Sequence, residues 1–131
     1  EPGAGTGDAS ELLAAALAAL ELHGGGARFP APMGRTLALI AHVHHLGAQA
    51  VTAEGLFRAA LDLLDARTAA VDPRWGAARA AALARYGELL QRWDRREGQG
   101  EALKRDAEGV LAALPAYPGG VRLSMNFQLP V

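Results

Sequence analysis

The sequence predicts an all-α fold: an up-and-down bundle of four to five helices with a single C-terminal β-strand over residues 121–129. Three observations lead there. Half of the 131 residues are apolar, and these are mostly Ala and Leu, with three Phe, two Tyr and two Trp. Such a mixture suits closely packed helices better than a β-sandwich, which favours β-branched and aromatic side chains. Apolar residues recur three and four apart along most of the chain, the spacing of one helix face. Only the last stretch breaks this rhythm. There Val121, Leu123, Met125, Phe127 and Leu129 alternate with Arg122, Ser124, Asn126 and Gln128, the period of a strand with one apolar and one wet face.

Residues 1–7, rich in glycine, read as a flexible lead-in, and residues 8–131 as one helical domain ending in the strand. Asp8 and Glu11 have capping-box spacing, which starts helix 1 and carries it to about His23. Leu13, Leu17 and Leu20 form its inward stripe, and Gly24-Gly25-Gly26 stops it. A loop from Ala27 to Gly34 lays Phe29 on the core. Helix 2, about Arg35 to Ala48, carries Leu37, Leu39, Ile40, Val43 and Leu46 and is expected to be the most buried. Thr52 caps helix 3, about Ala53 to Arg67, which buries Leu56, Phe57, Ala60, Leu61 and Leu64.

Asp72-Pro73 is the clearest start signal: an acceptor at the N-cap, then proline at the first helical position. Helix 4 runs from there to about Arg96, burying Trp75, Ala78, Ala82, Tyr86, Leu89 and Trp93. Gly98 to Gly100 makes a turn, and helix 5, about Glu101 to Leu114, closes at Pro115.

Composition excludes several functions. With no cysteine, disulfides and thiolate chemistry are absent. No apolar run is long enough to span a bilayer. The net charge of −1 gives no general attraction to nucleic acid, and the split between −3 over the first 70 residues and +2 over the rest is too small to imply a polyanion partner. Arg92, Arg95 and Arg96 surround Trp93, but Asp94 and Glu97 interleave them, so the cluster reads as a solvated helix end.

Chemistry-bearing residues are few. Ser10 and Ser124, the two serines, lie outside any nucleophile-elbow pattern, and no glycine-rich phosphate loop follows a strand. The reading leans away from an enzyme, and no cofactor is expected. His42 and His45, three apart on helix 2, share a face and could both reach a divalent ion, with His23 or Glu21 as a third ligand if helix 1 lies alongside. In the purely structural reading, His44 packs partly into the core while His42 and His45 face solvent or cap nearby carbonyls.

The segment Val51-Thr52-Ala53-Glu54-Gly55-Leu56-Phe57-Arg58 resembles the Glu-Gly-Ile/Leu-Phe-Arg segment of Rho GTPase-activating domains, over about 30 residues with its flanks. That resemblance implies regulation of a GTPase. No arginine-finger loop precedes the segment and the residues after Arg58 depart from the pattern, so no residue role carries over.

The strand remains the most informative feature. A lone strand leaves N–H and C=O groups along both edges, and strand addition uses such edges for affinity and alternate side chains for specificity. Val121, Leu123, Met125, Phe127 and Leu129 are therefore the expected docking residues of a non-enzymatic interaction or accessory module. The mate is a second copy in a homodimer or a different partner chain, unless the strand folds back across its own bundle with its apolar face over helix ends; the alternative function is a small metal- or ligand-binding protein using His42 and His45.

Overall fold

The computed structural model describes residues 4–65, 67 and 72–114, with side chains from residue 9 onward. The expected strand, residues 121–129, lies outside them. Every regular element among the described residues is helical: α1 (Ala4–Leu22), α2 (Gly25–Arg28), α3 (Pro30–Leu46), α4 (Ala50–Leu63), α5 (Pro73–Gln91) and α6 (Glu97–Ala112). The chain gathers into two compact units, Glu1–Leu64 and Asp65–Val131.

In the first unit α3 and α4 form a helical hairpin, with α1 and the single turn α2 packed on α3. Helix α1 starts at Ala4, four residues ahead of the expected capping box, so Asp8 lies inside it and part of the glycine-rich lead is helical. The alanine- and leucine-rich run behind propagates helix strongly enough to carry two glycines that each cost about 1 kcal/mol relative to alanine. Gly24, at φ 119°, ends α1 as expected, in a backbone conformation that glycine alone adopts without strain.

The expected loop 27–34 is instead a turn of helix followed by the start of α3. Pro30 sits in the first turn of α3, where the missing N–H has no intrahelical acceptor to lose. Thr52 is likewise inside α4 rather than at its cap; Gln49 occupies that position. The hairpin is built on small residues. Ala31, Gly34, Ala38 and Ala41 of α3 are buried, facing a fully buried set of Ala53, Phe57, Ala60 and Leu64. A Cβ added at Gly34 would sit 2.8 Å from Leu64 Cγ and 3.0 Å from the Ala60 carbonyl oxygen, so the two helices meet nearly backbone to backbone. Leu37, Leu39, Ile40 and Val43, expected to make α3 the most buried helix, are only half-buried, and Leu46 is exposed. Close approach leaves little room for large side chains at the seam, so they splay to its flanks.

The second unit is a hairpin of α5 and α6. Asp72 caps α5 as the sequence predicts: its carboxylate accepts from the Arg74 backbone N–H at 3.0 Å and from the Arg74 guanidinium at 2.7 Å. Ala82, Leu83, Tyr86, Leu89 and Leu90 are buried. Helix α5 stops at Gln91, before the expected Arg96, and α6 begins at Glu97, before the expected Glu101. The turn between them carries Arg95 at φ 67°, while Gly98 and Gly100 lie within α6. Trp93, expected on the buried stripe, is half-buried, with the Arg96 guanidinium over its ring at 4.7 Å.

Candidate functional site

The histidines lie at the C-terminal end of α3. His42 and His45 are one helical turn apart, so their rings meet on one face: centroids 6.4 Å apart, planes at 70°. The Nδ1 atom of each has essentially no contact with solvent. His44 points elsewhere. Its Nδ1 bonds the Gln49 side-chain oxygen, while its own carbonyl accepts from the Gln49 N–H at 2.9 Å. Those two bonds close the α3–α4 turn around Ala48, which has φ 62°. His44 is half-buried and holds the turn, while the Nδ1 atoms of His42 and His45 face inward rather than toward solvent.

His23 sits beyond the end of α1, exposed. Among the described residues no group of three or more His, Cys, Asp or Glu side chains is arranged to hold a metal ion, so the pair is what the fold offers. Two imidazoles on one face can share a borderline-soft divalent ion, with other ligands supplied by water or a bound molecule. Val121, Leu123, Met125, Phe127 and Leu129, the expected docking residues, lie outside the described residues.

The segment that resembles part of a GTPase-activating domain is the start of α4. Phe57 is fully buried, and Glu54 pairs with Arg58 at 3.4 Å one turn away. The buried ring serves the packing of α4 on α3, and the ion pair serves the helix itself.

Sequence periodicity did not identify the exposed apolar surface. Leu12 is 73% exposed and Leu22 81%, both on α1; Leu46 is 66% and Val51 76%, both beside the α3–α4 turn. Isolated exposed leucines are ordinary, but α1 carries two with only alanines between them on one face. The signal was available in the composition of α1: Ala and Leu fill nearly its whole circumference, which a one-sided surface helix does not need.

Among the described residues the protein is all-α, and no helix is long and apolar enough to cross a membrane. No protein family, curated protein or solved structure matches the chain.

Proposed function

We propose that the chain is a non-enzymatic protein–protein interaction or accessory module that docks through a C-terminal strand, residues 121–129, to its own mate or to a partner chain. The observation that carries the reading is the unbroken alternation from Val121 to Leu129 in a chain whose described elements are all helices. Helices satisfy their own backbone groups and present no sheet edge, so a strand of this kind finds its hydrogen-bond partners elsewhere. The exposed Leu12, Leu22, Leu46 and Val51 are consistent with a surface that meets other proteins.

A chain ending at Gly120 tests this. It keeps its helical circular dichroism, while its complex with mate or partner half-dissociates at a concentration at least about tenfold higher, a loss of about 1.4 kcal/mol. Unchanged dissociation would overturn the proposal.

A second reading is favoured by the shared face of His42 and His45: a small metal- or ligand-binding protein. A ligand that binds only the native state raises the melting temperature. Zinc, copper or nickel then raises it in the native chain and not in His42→Ala/His45→Ala; no shift with any of them disposes of the reading.

A further inference from the structure

Of the aspartates in the chain, Asp72 alone precedes a proline. An Asp–Pro peptide bond carries the means of its own cleavage. The side-chain carboxyl reaches its own main-chain carbonyl carbon through a small, unstrained ring. The proline nitrogen, a tertiary amide with no N–H, takes a proton and leaves more readily than other amide nitrogens. Both halves of that chemistry are arranged at the entrance of α5. The Asp72 carbonyl oxygen, where negative charge develops, accepts from the Trp75 N–H at 2.9 Å. The attacking carboxylate is held by Arg74: Oδ1 accepts from the backbone N–H at 3.0 Å and from Nε at 3.2 Å, Oδ2 from Nε at 3.1 Å and from Nη2 at 2.7 Å. Cap and reaction compete for the same two oxygens.

We infer that Asp72–Pro73 is a conditional self-cleavage site, closed by the Arg74 cap and opened when that cap is released in acid or by unfolding. A freed carboxyl oxygen, in its ionised form, adds to the Asp72 carbonyl carbon while solvent acid protonates the Pro73 nitrogen. The C–N bond breaks, leaving a cyclic anhydride on Asp72 and a secondary amine on Pro73. Water, which reaches an Asp72 side chain 26% exposed, opens the anhydride to two carboxyls. The sum is hydrolysis of one peptide bond. Acid releases the cap because Arg74 holds the carboxyl below the usual carboxylate range, so the bonds persist until pH falls through that lowered value. Arg74 is the charged group that acts on Asp72 among the described residues. Upstream, Asp65 and Arg67 pair with each other. On α6, packed along α5, Gly100 and Lys104 lie against Gly87, so Glu108, its last charged residue, falls level with about residue 81, roughly 13 Å of helix from Asp72. The cut separates α1 to α4, with His42 and His45, from α5 and α6, which lead to residues 121–129.

Intact-mass spectrometry of the full chain tests this, at the lowest pH at which it keeps its full helical circular dichroism, with and without concentrated guanidinium. Fragments ending at Asp72 and beginning at Pro73 are expected to accumulate at least about tenfold faster in the unfolded chain, as charged hydrogen bonds of this strength are lost. Unfolding alone frees many groups, so Arg74→Ala isolates the cap. Arg74 is exposed, and its replacement is expected to speed cleavage of the folded chain at least about threefold while leaving the unfolded rate unchanged. Asp72→Asn removes the attacking carboxylate and suppresses both fragments in either state. Equal rates in the folded and unfolded chain, an Arg74→Ala chain cut no faster than the native one when folded, or fragments that form as fast from Asp72→Asn would each overturn the inference.

Discussion

Gly87 of α5 and Gly100 of α6 bring their helices into backbone contact: a Cβ on Gly100 would lie 2.6 Å from the Gly87 carbonyl oxygen, and one on Gly87 2.8 Å from the Gly100 oxygen. Backbone cannot give way as a side-chain tip can. Gly87→Ala and Gly100→Ala are each expected to destabilise the protein by about 1–3 kcal/mol, the range for overpacking. Gly109→Ala, where a Cβ meets open space on the same helix, is expected to stabilise by up to about 1 kcal/mol. Urea unfolding of the three variants separates the packing role of glycine from its conformational cost.

Phe57 is one of the three largest fully buried side chains, with Leu64 and Leu90. It fills the α3–α4 seam, where small residues opposite leave no side chain able to collapse into a void. Phe57→Ala is expected to cost about 3–5 kcal/mol by chemical denaturation. A loss under about 1 kcal/mol would show that the seam is looser than its burial indicates.

Ala48 and Arg95 hold positive φ, 62° and 67°, at the two turns that close the hairpins. Left-handed backbone costs a Cβ-bearing residue roughly 1–2 kcal/mol, which glycine escapes. Ala48→Gly and Arg95→Gly are therefore expected to raise stability, by about 1 kcal/mol after the entropy glycine adds to the unfolded chain. Thermal melts that move down instead would mean the strain is absent.

Asp72 is held below the usual carboxylate range, first by the hydrogen bonds from the Arg74 side chain, then by that from the Arg74 backbone N–H. A depressed folded pKa means that the cap contributes fully above the unfolded carboxylate pKa and is lost as pH falls through the folded value. Acid melts should therefore show the native protein losing an increment that Asp72→Ala lacks throughout. Parallel curves for the two proteins from neutral to acid pH would contradict the assignment.

Much of this was legible from residue order. Asp72-Pro73 marked the start of α5, because an acceptor followed by proline fits few places besides a helix entrance. Phe57, Ala60 and Leu64 announced the inner face of α4 by spacing alone. Where residue order misleads, the cause is shared: a residue with two structural uses shows only its local one. Gly98 and Gly100 spell a turn, whereas α6 runs through both and Gly100 is there for contact with α5. Pro30 and Pro32 spell a loop, whereas Pro30 suits a first helical turn. Ring direction at His42, His44 and His45 is not legible in their spacing, because it depends on the turn that Gln49 completes. Nor does spacing mark Leu12 and Leu22 as exposed, since a helix apolar on every side does not declare which face its neighbour takes.

Amide hydrogen exchange reads the backbone groups of residues 121–129 one by one and so tests the proposed docking strand. Fast exchange is expected throughout this stretch in dilute, monomeric protein. In the assembled protein, with mate or partner, exchange is expected to slow along the paired edge. Equal protection in the monomer would show the strand satisfied within its own chain, and would contradict docking through it.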